Sequence, residues 1–177
     1  MAHKVLQLRP GFPTHQIRLL AGRYDYPKGD ERPRLIGERS RAAGFYTLAD
    51  FLEICEWKTH RSRKECRRNL EYDVREATST ALSPLSSEER RIKSLLALHG
   101  VSWATASVLL HFAHKDLYPI LDYRALWSLG CDSKLQYIRF SFWWEYVEIC
   151  RSLAWEEAVS LRDLDRALWQ FSKENQS

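Results

Sequence analysis

The spacing of hydrophobic residues predicts helices along most of the chain after the first quarter. A first face contains Leu48, Phe51 and Cys55, with Thr47 in position to cap the helix, and a second helical stretch covers residues 63–82. Because the apolar residues keep this spacing almost everywhere, we predict an all-α protein.

The second half of the chain contains clear start and stop signals for helices. Ser86 and Glu89 form a capping box for a helix that ends at Gly100, and the next helix begins almost at once. A short helix is predicted over residues 122–129. Two more helices follow it, and Ser160 caps the last of them.

Residues 1–44 differ from the rest of the chain in composition. They contain five of the seven glycines, four of the six prolines, and nine Lys or Arg residues against four acidic ones, with no sustained period. We therefore predict a basic, irregular N-terminal arm over residues 1–44 and a single all-helical domain over residues 45–177.

The overall composition is that of a soluble globular protein, with 45% hydrophobic residues, 28% charged residues and a formal charge of +4. The four cysteines have no metal-binding spacing, which predicts free thiols in a reducing cytoplasm and neither a metal nor a cofactor. The N-terminus resembles no secretory signal, and the uncharged stretch 94–114 is predicted to form two short buried helices rather than a membrane span. We expect a monomeric cytoplasmic protein.

Residues 95–108 predict two helices joined by a turn of about four residues around Gly100. A hairpin of this kind directs several backbone N–H groups, including those in the first turn of the second helix, toward one external point that suits a phosphate. Contacts through the backbone position a DNA duplex without reading its bases. The same segment also fits an ordinary helical hairpin whose only role is packing.

A basic segment precedes the hairpin, with five Lys or Arg residues and one acidic residue in positions 61–68. Such a run either contacts phosphates, with a steep dependence on salt, or forms a solvated helix face. The predicted contacts with the DNA backbone come from this segment and from the hairpin: Arg61, Arg63, Arg67, Gly100, Val101, Ser102, Ala104 and Thr105.

The hairpin sequence L-x-G-V-x-x-x-T-A at residues 98–106 is followed by Asp122, 18 positions after Ala104. This pattern resembles the helix-hairpin-helix DNA glycosylases, the group that includes endonuclease III, over residues 86–130. The resemblance implies a helix-hairpin-helix domain in a helical barrel, trimmed here because only 46 positions separate Lys58 from Ala104. It also implies that an altered base is cleaved from deoxyribose, with Asp122 as the catalytic residue.

The departures from the family pattern carry information as well. Ala104 stands where bifunctional members have the lysine that attacks the sugar, which implies a monofunctional enzyme without lyase activity. Ser102 replaces the usual second glycine, and the cysteine loop that holds an iron–sulfur cluster in many members is absent. By the same resemblance, Trp57 and Lys58 lie in the base pocket. Glu53, one turn before Trp57, is a candidate second acid.

Asp122 suits this chemistry for a reason that is independent of the resemblance. Cleavage of the base builds positive charge on the sugar, and a nearby carboxylate stabilises that charge and orients or deprotonates the attacking water. An aspartate that opens a helix also acts as a simple N-cap, so this alternative stays open.

The sequence therefore predicts a monofunctional DNA glycosylase that acts on duplex DNA carrying a modified base. Two alternatives from other classes remain. One is a non-catalytic helix-hairpin-helix module that binds DNA independently of sequence, and the other is a helical protein-interaction domain.

Overall fold

The computed structural model describes residues 8–26, 28–114, 118–131 and 138–176, and every regular element within these ranges is helical. This result confirms the predicted all-α class. After a 3-10 turn at Thr14–Gln16, the helices are α1 (Ile17–Gly22), α2 (Glu31–Ala43), α3 (Leu48–Lys58), α4 (Arg63–Cys66), α5 (Glu71–Leu82), α6 (Glu88–Leu96), α7 (Trp103–Ala113), α8 (Tyr123–Ser128), α9 (Phe140–Glu156) and α10 (Leu161–Asn175).

These helices form two compact units. The first unit combines residues up to Asp25 with those from Leu121 onward, and it contains α1, α8, α9 and α10. The second unit is the continuous piece Tyr26–Ile120, and it contains α2 to α7. Each unit therefore includes part of the predicted N-terminal arm.

In the first unit, α1 and α8 both pack against α10. Buried side chains such as Trp143 and Leu164 form its core. The chain before α1 is joined to the end of α8, because the N–H of Gly11 donates to the carbonyl of Ser128 at 2.8 Å.

In the second unit, α7 packs against α2, α3 and α6. All its residues from Thr105 to Ala113 are buried, as expected for a helix that has neighbours on several sides. Helix α2 approaches α7 closely at Gly37, where a side chain would collide with the backbone carbonyl of Phe112. Glycine is required at this position for space.

The prediction of an irregular arm over residues 1–44 is wrong for the described part of that stretch, which contains α1 and α2. Proline and glycine ordinarily break helices, and their number in residues 1–44 is the basis of that prediction. Here Pro33 lies in the first turn of α2, where backbone N–H groups form no hydrogen bond within the helix, so the helix loses none through proline. Gly37 permits the close contact with α7. Ile17 and Leu20, both buried, anchor the short α1.

Capping interactions explain several helix starts. Thr47 caps α3 and Ser160 caps α10, as predicted, each by accepting a hydrogen bond from a backbone N–H in the first turn. The capping box predicted at Ser86 is wrong, because Ser87 caps α6. The Ser86 hydroxyl instead donates to the carbonyl of Thr80 at 2.6 Å.

The uncharged stretch 94–114 forms the end of α6, a turn and α7, as predicted. Gly100, with a φ of +76°, separates the two helices. Among the residues that the structure describes, no helix combines the length and the apolar character that crossing a bilayer requires.

The close contact between α2 and α7 is testable with two glycine substitutions. Gly37→Ala is expected to lower the free energy of unfolding by about 1–3 kcal/mol, because the added methyl group overlaps the Phe112 carbonyl. Gly22→Ala is the matched control, since Gly22 is also helical but has nothing within 4 Å of an added Cβ. Its stability is expected to stay the same or to rise by up to about 1 kcal/mol. Urea denaturation measures both, and equal stability of the two variants would contradict the contact.

Candidate nucleic-acid interface

Helices α6 and α7 of the second unit form the predicted hairpin, joined by residues 97–102. Gly100 adopts the left-handed backbone conformation that other residues rarely adopt. Ser102 has an ordinary extended conformation, with φ −94°, and its hydroxyl accepts the N–H of Thr105 at 3.3 Å. Ser102 is therefore the N-cap of α7, and this turn has no need of a second glycine.

The hairpin turn uses some of its backbone N–H groups internally. The N–H of Val101 donates to a carbonyl within the turn, and Thr105, whose N–H donates to Ser102, is buried. These two residues stabilise the turn. The N–H groups of Gly100, Ser102 and Ala104 form no hydrogen bond with another described residue, so they are the donors that the turn offers to a ligand.

The turn lies against the end of α4. A Cβ atom at position 100 would lie 2.7 Å from both the backbone nitrogen and the Sγ of Cys66. Gly100 is thus required for space as well as for backbone conformation. Because Cys66 belongs to the basic segment 61–68, the contact places this segment beside the hairpin turn.

The side chain of Asn69 links the same two segments through three hydrogen bonds. Its Nδ2 donates to the carbonyls of Cys66 at 2.8 Å and His99 at 2.9 Å, and its Oδ1 accepts the N–H of His99 at 2.8 Å. Asn69 is buried, so these groups are costly to leave unpaired. We name this arrangement the Asn69 bridge. The prediction of one continuous helix over 63–82 is wrong, because the chain leaves α4 before Asn69 and begins α5 at Glu71.

The basic segment, residues 61–68, includes α4. All five of its Lys and Arg residues are exposed: Arg61, Arg63, Lys64, Arg67 and Arg68. Arg63 pairs with Glu56 at 3.4 Å, and Arg68 pairs with Glu65 at 2.5 Å. The remaining three side chains form no ion pair with any described residue, so their charges are available to an anion.

A cavity of about 300 Å³ lies between the start of α2 and the end of α3. Pro33, Ile36 and Trp57 form its apolar wall. Charged or ionisable side chains line the rest: Lys28, Arg32, Glu53, Glu56 and His60. The structure therefore brings Trp57 and Glu53, two of the three predicted base-pocket residues, to one cavity, whereas Lys58 does not line it.

Trp57 is held firmly in the wall of this cavity. The residue is buried, its Nε1 donates to the carbonyl of Gly29 at 2.7 Å, and its ring packs edge-to-face against Phe112 with 5.3 Å between centroids. Several partners fix this ring, so it forms a rigid surface rather than a mobile stacking group.

Arg32 and Glu53 form a bidentate ion pair at the cavity, with N···O distances of 2.7 and 2.8 Å. Hydrogen bonds from Arg32 hold the pKa of Glu53 below its ordinary value, so Glu53 carries a negative charge at neutral pH. The candidate second acid is therefore the ion-pair partner of Arg32, and its role in catalysis stays a prediction. Sequence reasoning missed Arg32 because residues 1–44 are predicted irregular. A helix there would have put Arg32 and Ile36, four residues apart, on one face.

Glu56 connects the cavity to the basic segment. Its carboxylate lies 3.5 Å from Nδ1 of His60 and 3.4 Å from Nε of Arg63. Lys28, which sequence reasoning also missed, donates to the carbonyls of Glu56 at 2.6 Å and Trp57 at 3.2 Å. Partial burial lowers the pKa of Lys28. The cavity and the basic segment therefore adjoin each other within the second unit.

Asp122 belongs to the first unit and caps α8. Its Oδ1 accepts the N–H of Arg124 at 2.9 Å, which confirms the predicted helix start. The Arg124 guanidinium lies over the rings of Tyr123 and Trp169, at 5.2 and 5.4 Å from their centroids. The cap accounts for the position of Asp122 in the fold, and its catalytic role stays a prediction.

The Asn69 bridge is expected to contribute strongly to stability. Asn69→Ala leaves the carbonyl and the N–H of His99 without their partner and removes one of the two N–H donors to the Cys66 carbonyl. We therefore expect the free energy of unfolding to fall by about 2–3 kcal/mol. Asn175→Ala is the control, because Asn175 is exposed and makes one hydrogen bond, to the carbonyl of Phe171. Its effect is expected to stay within about 0.5 kcal/mol. Urea denaturation measures both, and a loss for Asn69→Ala no larger than that of the control would contradict the bridge.

Comparison with known proteins identifies no relative of this chain. No family model, no curated protein and no solved structure matches it. The resemblance to helix-hairpin-helix DNA glycosylases therefore stays a prediction from residues 86–130.

Proposed function

We propose that this protein binds duplex DNA through its phosphates, with the hairpin turn and the basic segment of the second unit as the interface. The observation that carries the proposal is the Asn69 bridge. The bridge holds the basic segment beside the hairpin turn. Three cations of the segment form no ion pair with any described residue: Arg61, Lys64 and Arg67. The turn offers three backbone N–H donors, those of Gly100, Ser102 and Ala104.

Phosphate is the ligand that both kinds of donor favour. Lys and Arg side chains neutralise phosphates and release their counterions, and this release makes the affinity depend on salt. Backbone N–H groups at the start of a helix bind anionic oxygens. Neither interaction depends on the identity of a base, so we expect binding that is independent of sequence.

Removing single charges from the basic segment tests the interface. Replacing Arg61, Lys64 or Arg67 with Gln is expected to weaken binding to a plain duplex. Each change should also reduce the slope of log Kd against log salt by about 1. Fluorescence anisotropy at several salt concentrations between about 50 and 200 mM measures both quantities.

Arg34→Gln provides the control for loss of charge. Arg34 is an exposed cation on α2 that lies 3.8 Å from Glu38, so its replacement removes charge without touching the basic segment. We expect its salt slope to match that of the unchanged chain. If Arg34→Gln weakens binding as much as the other three, the segment has no specific role. If the unchanged chain has no DNA affinity at low salt, the protein-interaction alternative is favoured instead.

A second candidate function is hydrolysis of the N-glycosidic bond of a modified base in DNA. The observation that favours it is the fixed position of Asp122, whose side chain is held at the start of α8 by the N–H of Arg124. In this proposal the Asp122 carboxylate stabilises the positive charge that develops on the sugar as the base leaves and water attacks. Because Ala104 aligns with the lysine that attacks the sugar in bifunctional glycosylases, the resemblance implies a reaction that ends at the abasic site.

Asp122→Asn separates catalysis from capping. Asparagine keeps the oxygen that accepts the N–H of Arg124, so the melting temperature is expected to change little. Loss of the negative charge is expected to slow single-turnover excision by about 10² or more. The substrate is chosen first from duplexes that carry uracil, an alkylated base or an oxidised base, with alkali treatment to reveal abasic sites.

Asp163→Asn is the matched control for this substitution. Asp163 also lies in the first turn of a helix, α10, and interacts with the capping Ser160. Its replacement is expected to leave excision unchanged. An Asp122→Asn protein that excises at the normal rate would exclude the catalytic role of this carboxylate.

A further inference from the structure

One side of α9, in the first unit, carries large side chains that the fold leaves at least partly uncovered. Trp144, Glu148, Arg151 and Trp155 follow one another at intervals of four, three and four residues, which places them in one row along the helix. Glu148 and Trp155 are exposed, and the other two are half-buried. Trp155 is 85% exposed, although tryptophan is highly buried on average in folded proteins. We name these four residues the α9 stripe.

Contacts within α9 hold part of the stripe in place. The ring of Trp144 stacks on that of Phe140, with 6.4 Å between centroids and 15° between the planes. The guanidinium of Arg151 lies 5.4 Å from the centroid of the Trp144 ring. Side chains that are already ordered lose little conformational entropy when a partner binds. Tryptophan and arginine are also the residue types that most often dominate the binding energy of protein interfaces.

The order of residues in the α9 stripe makes it complementary to itself. When two copies of α9 pack antiparallel about a twofold axis at the middle of the stripe, Trp144 of each copy faces Trp155 of the other. In the same arrangement, Glu148 of each copy faces Arg151 of the other. Each contact then occurs twice, as a twofold interface requires. The spacing of four, three and four residues is also that of the contact positions in a coiled coil.

We propose that the α9 stripe docks onto the same stripe of a second copy of this chain, which makes the protein a weak homodimer. The proposal departs from the monomer expected from the sequence, and it is independent of DNA binding. A second copy is the occupant that the charges favour, because it offers an arginine to Glu148 and a glutamate to Arg151. DNA is disfavoured as the occupant, since Glu145 and Glu156 add negative charge beside the stripe and repel phosphates.

The first test measures the mass of the full chain in solution as a function of its concentration. A stripe along one helix makes a small interface, so we expect a dissociation constant in the micromolar range. In sedimentation equilibrium between about 1 and 300 µM, the mass is expected to rise from that of the 20.9 kDa chain toward twice that value. A chain that stays monomeric over this range would overturn the proposal.

Trp155→Ala tests whether the α9 stripe forms the contact. Because Trp155 is exposed and occurs twice in the dimer, its loss is expected to raise the dissociation constant at least roughly tenfold, with the circular dichroism spectrum unchanged. Tyr72→Ala is the matched control, since Tyr72 is an aromatic residue of α5 in the second unit and is 72% exposed. The control is expected to dimerise like the unchanged chain. Equal dimerisation of the two variants would overturn the proposal.

Reversing the charges at the centre of the stripe tests the antiparallel packing. Glu148→Arg and Arg151→Glu each place like charges opposite one another in a symmetric pair, so each variant alone is expected to dimerise at least roughly tenfold more weakly. An equimolar mixture of the two variants sets the arginines of one chain against the glutamates of the other, and it is expected to recover the dimer. Sedimentation equilibrium measures all three samples. A mixture that fails to recover the dimer would overturn the proposed packing, and so would unchanged dimerisation of either variant alone.

Discussion

The hydrogen bonds of Asn69 determine where the basic segment lies. They join Asn69 to the backbone of His99, which lies 30 positions further along the chain, and they do so from a buried side chain, where unpaired polar groups are costly. Long, exposed Lys and Arg side chains cannot position their own backbone in this way. An exposed ion pair contributes at most about 1 kcal/mol and weakens as salt is added. The hydrogen bonds of a buried amide are much less sensitive to added salt.

The second unit gains several properties from this one contact. A hairpin turn alone offers only the partial charges of its N–H groups, whereas the adjoining segment supplies full positive charges with few acidic neighbours. Glu56 extends the same surface to the cavity, because it lines that cavity and also pairs with Arg63. Hydrogen-bond donors for phosphate and the cavity beside Trp57 are thus concentrated around α3, α4 and the turn before α7.

Interactions within one turn of a helix are predictable from the sequence, and interactions between distant residues are not. Thr47 and Asp122 cap their helices through N–H groups two or three positions away, so a short window of sequence is sufficient to find them. Arg32 meets Glu53 only because α2 and α3 pack together. Asn69 follows a run of charged residues and matches no motif, since its partner His99 lies far along the chain. The basic segment is visible in the sequence, and the side chain that positions it is not.

The path of the chain through the two units sets the order in which they can be completed during synthesis. Tyr26–Ile120 is uninterrupted, whereas the first unit combines residues from both ends of the chain. The second unit can therefore fold on the ribosome while three of the four helices described for the first unit are still unmade. Ile17 and Leu20 of α1 stay uncovered until α10 is synthesised, roughly 7–30 s after α1 itself at ordinary rates of translation. A nascent chain thus carries a finished hairpin and basic segment before the helix that begins after Asp122 exists.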